Sequence, residues 1–535
     1  MSSAWKIAFL LVVACLSASV AEAQLLRKVA MTGDDAPGTE VGAKFGNVNW
    51  PVLNAGGQVA FSATLTNTDL FNDQGVWSEG SGPLGLVARR GDPAPGTAAG
   101  VTFDYFGDVA LNDSGQSAFF SHLRGPGVFA FNDYGVWSQG TGSLEKVVRS
   151  GDPAPGTPSG VTFISGLIEP VFNGGGRSAF LAQVTGNAVS SADDWGIWAE
   201  GPLALVAREG NQAPGLPAGV NYYLLGQPSL NSAGQMIFFG RVVGTGITTA
   251  NDDVIWSNRT GTIAAVVREG NAAVGVGPGV TFGSIGASAL NAHGTMVFQS
   301  LLSGGSLTSA NDGGIWSEQS GVISLVVREG SHAAGTPAGA NFDNFDSPVV
   351  NNNGQIAFRG RLTGTGVGAT NGQGIWSDGF GGQHLVARTG DQAPGTPVGA
   401  MFNRLGVPVF NSVGQTAFEG FLTGGGVYSW NSQGIWAEDQ AGLLRLIARA
   451  GDLLEVSPGD FRTIASLGFR PYSNNDSGRP SGFNDLGQLA FLAQFTDGTS
   501  GVFVSSLAAV PEPPALVLCS AVLGVVLLRR TRASR

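Results

Sequence analysis

Apolar and polar positions alternate in a short segment that recurs eight times along the chain. A period of two residues predicts a β-strand with two distinct faces. The second face carries Ala, Ser and Thr rather than charge, which indicates that another sheet packs against it. In the first copy one face consists of Val59, Phe61, Ala63 and Leu65, and the other of Gln58, Ala60, Ser62 and Thr64.

Each alternating segment follows a turn of composition Asn-x-x-Gly. Asn at the first corner and Gly at the fourth predict a type I turn closed by a left-handed residue, which Gly adopts without steric cost. Successive copies start 58, 61, 58, 60, 60, 60 and 73 residues apart. The turn residues are Asn54 and Gly57, Asn112 and Gly115, Asn173 and Gly176, Asn231 and Gly234, Asn291 and Gly294, Asn351 and Gly354, Asn411 and Gly414, and Asn484 and Gly487.

Each unit of about 60 residues contains four candidate strands. The first is the run before the Asn turn, as in Phe345–Val350 and Phe402–Phe410, and the second follows the turn. The third carries Gly-[Val/Ile]-Trp, the fourth ends in Arg, and a Gly-Asp-x-Ala-Pro-Gly link leads to the next unit. Four short antiparallel strands per unit predict a blade of a β-propeller. A solenoid coil needs about half this length, and a sandwich domain nearer 100 residues.

The phase of the repeat predicts how the ring closes. The segment Leu25–Ala30 has the pattern of a fourth strand, whereas the eighth unit ends after its third strand at Val502–Ser505. We therefore expect these two segments to pair, which leaves only short, protected sheet edges. The predicted fold is all-β: an eight-bladed propeller of four-stranded antiparallel blades over residues 24–509, closed by its N-terminal strand.

The two ends of the chain have a different composition. Residues 1–23 have the features of a secretory signal: a positive start, an apolar run and a small-x-small cleavage site between Ala23 and Gln24. A lipoprotein box over residues 12–15 is the alternative. Residues 510–535 combine Pro-Glu-Pro, an apolar run of 14 residues and a cluster of arginines, and the run is shorter than the ~20 residues that span a bilayer comfortably. The sorting residues of this tail are Val510, Pro511, Glu512, Pro513, Arg529 and Arg530.

This tail resembles the PEP-CTERM sorting signal of bacterial surface proteins. The resemblance implies membrane attachment through the tail until an exosortase-type peptidase, the expected sorting partner, removes it. The repeats resemble the tandem NxxGxxAF-containing, choice-of-anchor proteins, although Ile237 and Val297 replace the Ala in two copies. That family implies a surface location and supplies no activity.

Composition narrows the classes of partner. The end segments hold five of the 28 basic and two of the 39 acidic residues, which leaves a body with a net charge of −14. So acidic a body argues against nucleic acid as partner. Both cysteines, Cys15 and Cys519, lie in the end segments, so the body has no disulfide and no Cys-ligated metal.

Three features are candidates for chemistry. The Trp of each third strand is better explained as a buried side chain that fills the space between neighbouring sheets than as an exposed ring that stacks on sugars. Trp50, Trp195 and Trp430 fall outside that register and are candidates for exposed residues that contact a ligand. Asn-Asp pairs before the third strand offer oxygen ligands to Ca²⁺, but one carboxylate per turn is too few to complete a Ca²⁺ site. We therefore favour a structural role, in which these side chains form hydrogen bonds within the turn. The longer eighth unit contains a polar loop with Asn474, Asn475, Asp476 and Arg479. This loop is either a tolerated surface excursion, which is favoured, or a candidate binding loop.

No residue pattern compels a reaction, and no catalytic residue or cofactor is predicted. We expect an exported, non-enzymatic surface or matrix module that binds polysaccharide or a surface protein. The alternatives are a carbohydrate-active hydrolase or lyase that uses the propeller channel, and a calcium-stabilised adhesin. The hydrolase requires two carboxylates that converge away from the repeat register.

Overall fold

Each copy of the repeat forms one antiparallel sheet in the computed structural model, which describes residues 25–164, 170–470, 479 and 481–507. The eight sheets are the blades of a β-propeller, as predicted. In blades 1 to 7 the strands follow one another in chain order, with the strand before the Asn turn nearest to the axis.

Blades 1 to 4 contain β2 to β20. Blade 1 comprises β2 (Lys44–Val48), β3 (Val52–Leu53), β4 (Val59–Thr66), β5 (Gln74–Ser78) and β6 (Gly85–Arg89). Blade 2 comprises β7 (Thr102–Leu111), β8 (Ser117–Arg124), β9 (Tyr134–Ser138) and β10 (Glu145–Arg149). Blade 3 comprises β11 (Thr162–Phe163), β12 (Val171–Phe172), β13 (Ser178–Thr185), β14 (Trp195–Ala199) and β15 (Ala204–Arg208). Blade 4 comprises β16 (Asn221–Leu225), β17 (Ser229–Leu230), β18 (Met236–Val243), β19 (Asp253–Ser257) and β20 (Ala264–Arg268).

Blades 5 to 8 contain the remaining strands. Blade 5 comprises β21 (Val280–Leu290), β22 (Met296–Gly304), β23 (Gly313–Gln319) and β24 (Val322–Arg328). Blade 6 comprises β25 (Ala340–Val350), β26 (Ile356–Gly364), β27 (Gln373–Ser377) and β28 (His384–Arg388). Blade 7 comprises β29 (Ala400–Leu405), β30 (Val409–Phe410), β31 (Thr416–Gly424), a 3-10 turn (Ser429–Asn431), β32 (Gln433–Glu438) and β33 (Leu444–Arg449). Blade 8 comprises β34 (Leu453–Ser457), β35 (Asp460–Gly468), β36 (Gln488–Phe495), β37 (Ser500–Ser506) and, from the other end of the chain, β1 (Leu25–Met31).

The pairing of β1 with β37 confirms the predicted closure. The two strands are antiparallel, with Arg27 opposite Val504 and Ala30 opposite Val502. The N-terminal strand therefore takes the place of the fourth strand in blade 8. The Thr32 amide extends the pairing by donating to the Ser500 carbonyl oxygen at 2.8 Å.

The first strand differs from the prediction. Instead of one strand over Phe402–Phe410, blade 7 has β29 and β30, separated at Gly406, Val407 and Pro408. Blade 1 is broken in the same way before Pro51. A proline has no amide hydrogen to donate to the ladder, so pairing stops there and resumes after it.

Apolar side chains fill the spaces between neighbouring blades. The Phe that follows each Asn turn is buried in all eight blades. The second face of a blade contributes as well, since Ala60 of blade 1 packs in one cluster with Phe103, Phe119 and Trp137 of blade 2. This is the close sheet contact expected from the small residues of that face. In the described part of the chain, no helix has the length and apolarity needed to cross a bilayer.

Candidate functional site

The eight predicted turn asparagines form a closed ring of hydrogen bonds on one face of the propeller, here called the turn face. Each Asn amide group donates through Nδ2 to the backbone carbonyl oxygen of the Asn in the next blade, at 2.7–3.1 Å. The last link runs from Asn484 back to Asn54. All eight are at most 4% exposed. The glycines of these turns have positive φ, as predicted. These residues hold the blades together and offer no free group to a ligand.

The Trp of each third strand is a structural residue, as favoured from the sequence. All seven are fully buried. Each donates its indole Nε1–H to a carbonyl oxygen of the link that enters its blade, at 2.9–3.3 Å. Each also packs edge-on against the aromatic residue of the first strand, such as Phe45 against Trp77. A sugar cannot reach these rings.

The opposite face carries the loops between the second and third strands, which we name crown loops. One Asn or Asp near the end of the loop anchors it, because its side-chain oxygen accepts a backbone N–H three residues earlier, as Asn132 does from Phe129 at 2.7 Å. The Arg that ends the fourth strand holds the same residue from below, with Arg149 Nε donating to the Asn132 carbonyl oxygen at 2.6 Å. The Asn-Asp pairs thus serve the turn conformation, as predicted, and the repeated Arg supports the same loop.

Two crown loops display stacked aromatic pairs. In blade 2, Phe129 and Phe131 lie with centroids 5.4 Å apart and planes at 11°. In blade 7, Tyr428 and Trp430 lie 5.8 Å apart with planes at 4°. All four are exposed, by 59–62%. Blades 3 to 6 use the same anchored loop with small residues at the same two positions: Ser190 and Ala192, Thr248 and Ala250, Thr308 and Ala310, and Gly368 and Thr370.

These exposed rings lie on one arc of the propeller. Along the ring of asparagines, blade 7 is followed by blades 8, 1 and 2. The crown loop of blade 1 adds Leu70 and Phe71, which are 77% and 64% exposed. Arg124 of blade 2 stacks over the Phe71 ring at 4.6 Å and donates to the Phe71 carbonyl oxygen, so the two loops are joined. We name the side chains of residues 70, 71, 129, 131, 428 and 430 the aromatic arc.

The rings of the aromatic arc are held in place by the fold. Trp430 lies against the backbone of Gly451, where an added Cβ would come within 2.7 Å of the indole Cζ3. The Asn431 side chain accepts from the Tyr428 amide at 2.6 Å and so fixes the loop between the two rings. The arc therefore offers preformed aromatic faces to solvent.

A contact between Trp50 and Arg470 connects neighbouring blades. Trp50, in the break between β2 and β3 of blade 1, is 46% exposed, and the Arg470 guanidinium lies 5.7 Å from its ring centroid. Arg470 also forms an ion pair with Asp108 of blade 2. This group joins blades 8, 1 and 2, and its one carboxylate is already paired with a cation.

Three consecutive blades place a buried glutamate beside the acids of the crown loop. Glu209, Glu269 and Glu329 follow the last Arg of the fourth strand in blades 3, 4 and 5, and each is 5–7% exposed. Burial, followed by the charge of Asp194, raises the pKa of Glu209 to about 7. Burial raises the pKa of Glu329 to about 7 as well, with Asp312 as the next cause. These glutamates are not among the residues predicted from the sequence, although the repeated Arg-Glu pairs at residues 208–209, 268–269 and 328–329 were the available signal.

In blade 4 the acids converge most closely. Asp252, Asp253 and Glu269 place one carboxylate oxygen each within 4.8 Å of one another. Asp253 is 1% exposed and forms an ion pair with Arg241 at 2.8 Å. Asp252 and Glu269 occupy positions at which other blades also carry acids, whereas Asp253 is an acid in this blade alone. Asp253 and Glu269 are buried and Asp252 is half-buried, so a glycan has little access to the group.

Several predicted residues are not part of this site. Asn474, Asn475 and Asp476 of the predicted loop, the cleavage position at Ala23 and Gln24, and the whole sorting tail lie outside the described residues. Arg479 is described and half-buried. Trp195 is a wrong prediction of exposed contact, because it is half-buried and packs against the core between blades 3 and 4.

One family model matches most of the chain. It is described as "Family of unknown function (DUF7453)" and matches residues 17–141, 72–259 and 201–517. Among curated proteins, none matches this chain.

Solved structures that match the chain share little sequence with it. A puromycin hydrolase has 11% identity and a TM-score of 0.36, over 84% of this chain and 58% of that one. The Pyrococcus horikoshii acylaminoacyl peptidase has 9% identity and a TM-score of 0.36, over 75% of this chain and 52% of that one. The Trypanosoma rangeli sialidase in complex with sialic acid has 10% identity and a TM-score of 0.25, over 91% of this chain and 62% of that one. This chain thus spans little more than half the length of the first two, and at such TM-scores their activities say nothing about it.

Proposed function

We infer that this chain, which belongs to the DUF7453 family of unknown function, is a non-enzymatic binding module that holds a neutral polysaccharide on its aromatic arc. The observation that carries this proposal is the pair of stacked, exposed rings on each of two crown loops. The alternative of a hydrolase has no comparable support, since two of the three acids in the closest group within the described residues are buried, and one of these, Asp253, is paired with Arg241.

The fold itself does not require aromatic residues in these loops. The same loop forms in four other blades with Ala, Ser, Thr or Gly at the two positions, because the anchoring Asn or Asp and the Arg define its conformation. Because these rings are exposed, they add little hydrophobic stabilisation to the fold, and they favour self-association of the protein. Their presence therefore indicates that they contact a binding partner. Loops on a rigid scaffold are the usual place for such a role.

The chemistry of the arc favours a neutral glycan. Flat, preformed aromatic faces pack against the C–H faces of sugar rings, and little side-chain freedom is lost on binding. A body charge of −14 repels anionic polymers and nucleic acids. The spacing of the two pairs on blades 7 and 2, with blades 8 and 1 between them, suits a long chain that contacts both pairs.

We also propose that the protein is exported to the bacterial surface. The predicted signal, the Pro-Glu-Pro tail and its arginines support export, sorting by an exosortase-type peptidase and a final place at the bacterial surface or in its matrix. In the native host, mass spectrometry should find a mature N-terminus at Gln24 and no peptide from residues 514–535. An intact tail on the surface-exposed protein would contradict the sorting proposal.

A glycan array and affinity electrophoresis in neutral polysaccharides test the binding proposal. The double variants Tyr428→Ala/Trp430→Ala and Phe129→Ala/Phe131→Ala should each weaken retardation at least tenfold with an unchanged melting temperature. Tyr223→Ala is the matched control, since Tyr223 is an equally exposed aromatic residue, by 59%, outside the crown loops. Equal loss in all three variants, or binding only to anionic polymers, would refute the proposal, and sugar release during the assay would favour the hydrolase.

A further inference from the structure

Three acids occupy neighbouring positions at the boundary between blades 5 and 6, although their carboxylate oxygens lie farther apart than those of the blade 4 group. Asp312 belongs to the crown loop of blade 5, Glu329 follows its fourth strand, and Asp343 lies on the first strand of blade 6. Glu329 is 5% exposed, and both aspartates are close enough to raise its pKa by their charge. We name these three residues the acid trio. A buried carboxylate between two others is costly unless a cation or a proton compensates it.

The repeat shows what occupies this place in another blade. Glu329 is equivalent to Arg90, since their amides donate to the carbonyl oxygens of the equivalent residues 313 and 74. Arg90 lies between Asp73 and Asp104, with one guanidinium nitrogen 2.9 Å from each carboxylate. Asp73 and Asp104 are in turn equivalent to the two aspartates of the acid trio. At the junction of blades 1 and 2 the chain thus supplies its own cation, and at the junction of blades 5 and 6 it places a third acid there.

The acid trio is left without a protein cation. The Glu329 Oε2 atom is buried and has no hydrogen-bond partner. Within the described ranges, none of the three carboxylates forms an ion pair with lysine or arginine. In blade 4, Arg241 pairs with the acid on the facing strand, but in blade 5 the equivalent residue is Leu301.

The backbone leaves room around the Glu329 carboxylate. Gly313 faces it, and a Cβ at that position would lie 2.3 Å from Glu329 Oε1. The equivalent residues in blades 1 and 4 are Gln74 and Asp253, whose side chains fill this space and bond to the first strand of the next blade. Blade 5 has Gly313 where blade 1 has Gln74, and Glu329 where blade 1 has Arg90. These two differences produce an acidic recess between blades 5 and 6.

We propose that the acid trio binds a divalent cation of the Ca²⁺ type and joins blade 5 to blade 6 through it. Carboxylate oxygens are the ligands that Ca²⁺ prefers, and its six to eight positions are completed by backbone carbonyl groups and water. The charge balance is the same as in blade 1: one guanidinium with two carboxylates, or one Ca²⁺ with three, each leaves a net charge of −1.

Calcium titration of the chelator-treated protein at pH 8 tests the proposal, with bound ions counted by native mass spectrometry. The wild type should bind Ca²⁺ and melt at a higher temperature with it than with chelator, and Mg²⁺ should be at least tenfold weaker. Glu329→Arg, which copies the arrangement of blade 1, should bind one ion fewer and should melt without calcium at or above the chelated wild type. Glu329→Gln should also bind one ion fewer.

The control variant is Glu145→Gln, because Glu145 is an exposed glutamate on a fourth strand away from the acid trio. It should keep the wild-type count of ions and the full thermal shift. The proposal is overturned if the wild type binds no calcium at pH 8, or if Glu329→Arg keeps the wild-type count. In the first case the acid trio is compensated by a shared proton.

Discussion

At the residue scale, the repeated Asn has two roles, and only one could be predicted from sequence. Its side-chain oxygen closes the local turn, as Asn351 Oδ1 does by accepting the Gln355 amide at 3.0 Å, and this role follows from residues within one turn. Its Nδ2 donates to the next blade, 60 residues away in sequence. A local pattern shows no such partner. The presence of Asn in all eight copies was the available signal for the ring, although Asp or Ser also suits a turn. Asp has no hydrogen to donate and Ser has only one, whereas the Asn351 amide accepts from the Gln355 N–H and donates to both Gln355 Oε1 and the Asn411 carbonyl oxygen.

Replacing one member of the ring should cost more than a turn residue usually does. Asn351→Ala leaves the Gln355 amide unpaired and removes the donor to the Asn411 carbonyl oxygen. We expect the free energy of unfolding to fall by about 1–3 kcal/mol, the cost of buried groups that lose their partners. Denaturant unfolding measures it, and Asn353→Ala, an exposed residue of the same turn, should cost less than about 1 kcal/mol. Equal losses would show that the ring contributes nothing beyond the turn.

The buried glutamates predict how stability depends on pH. The pKa of Glu209 and of Glu329 is raised to about 7, so between pH 4.5 and 7 the folded protein binds more protons than the unfolded chain. Stability must therefore fall as pH rises through this window, by up to about 1.4 kcal/mol per pH unit for each such group. With chelator present, melting temperatures should decline over this range, and the double variant Glu209→Gln/Glu329→Gln should flatten the decline. A melting temperature that rises from pH 5 to 7 by the same amount in both proteins would contradict the pKa values.

At the element scale, the second, third and fourth strands followed from sequence because each carries its own local pattern. The break in the first strand did not, since the alternation continues across Val407 and Pro408 while the ladder pairing stops. The added strand β34 was also missed, because the link of blade 8 lacks the Ala-x-Gly, usually Ala-Pro-Gly, that is present in the other links. Among the three Trp residues outside the repeat register, only their neighbours in other strands decide that Trp430 is exposed and Trp195 is half-buried.

Two tryptophans of blade 7 have different roles, since one stabilises the fold and the other is proposed to bind polysaccharide. Trp436 is fully buried and donates to the Pro394 carbonyl oxygen at 3.0 Å, so Trp436→Phe removes that donor and leaves a cavity. We expect a loss of about 2–4 kcal/mol in denaturant unfolding. Trp430→Ala, six residues earlier in sequence, should change stability by less than about 1 kcal/mol and weaken polysaccharide binding instead. If Trp436→Phe unfolds like the wild type, the buried Trp and its hydrogen bond to the link do not stabilise the blade.

At the scale of the whole molecule, the architecture could be predicted from the order of the strands in the repeat. Seven complete units and one divided between the two ends predicted a closed ring, and β1 beside β37 confirms it. The ligand could not be predicted in the same way. The aromatic arc includes crown loops of blades 7 and 2 that are about 300 residues apart in sequence, and only the closure of the ring brings these blades onto one arc.

Closure should also control whether the propeller remains a monomer. A chain that begins at Thr32 lacks β1, so β37 becomes an open edge and the space filled by Ala30 and Met31, 1% and 2% exposed, is left empty. We expect a lower melting temperature and self-association in size-exclusion chromatography, because an unpaired edge recruits other strands. A peptide of residues 24–32 added in trans should restore both properties saturably, whereas the same peptide with Ala30→Asp should not. A truncated chain that melts and elutes like the full propeller would show that the ring is held by its asparagines and not by the strand that both ends share.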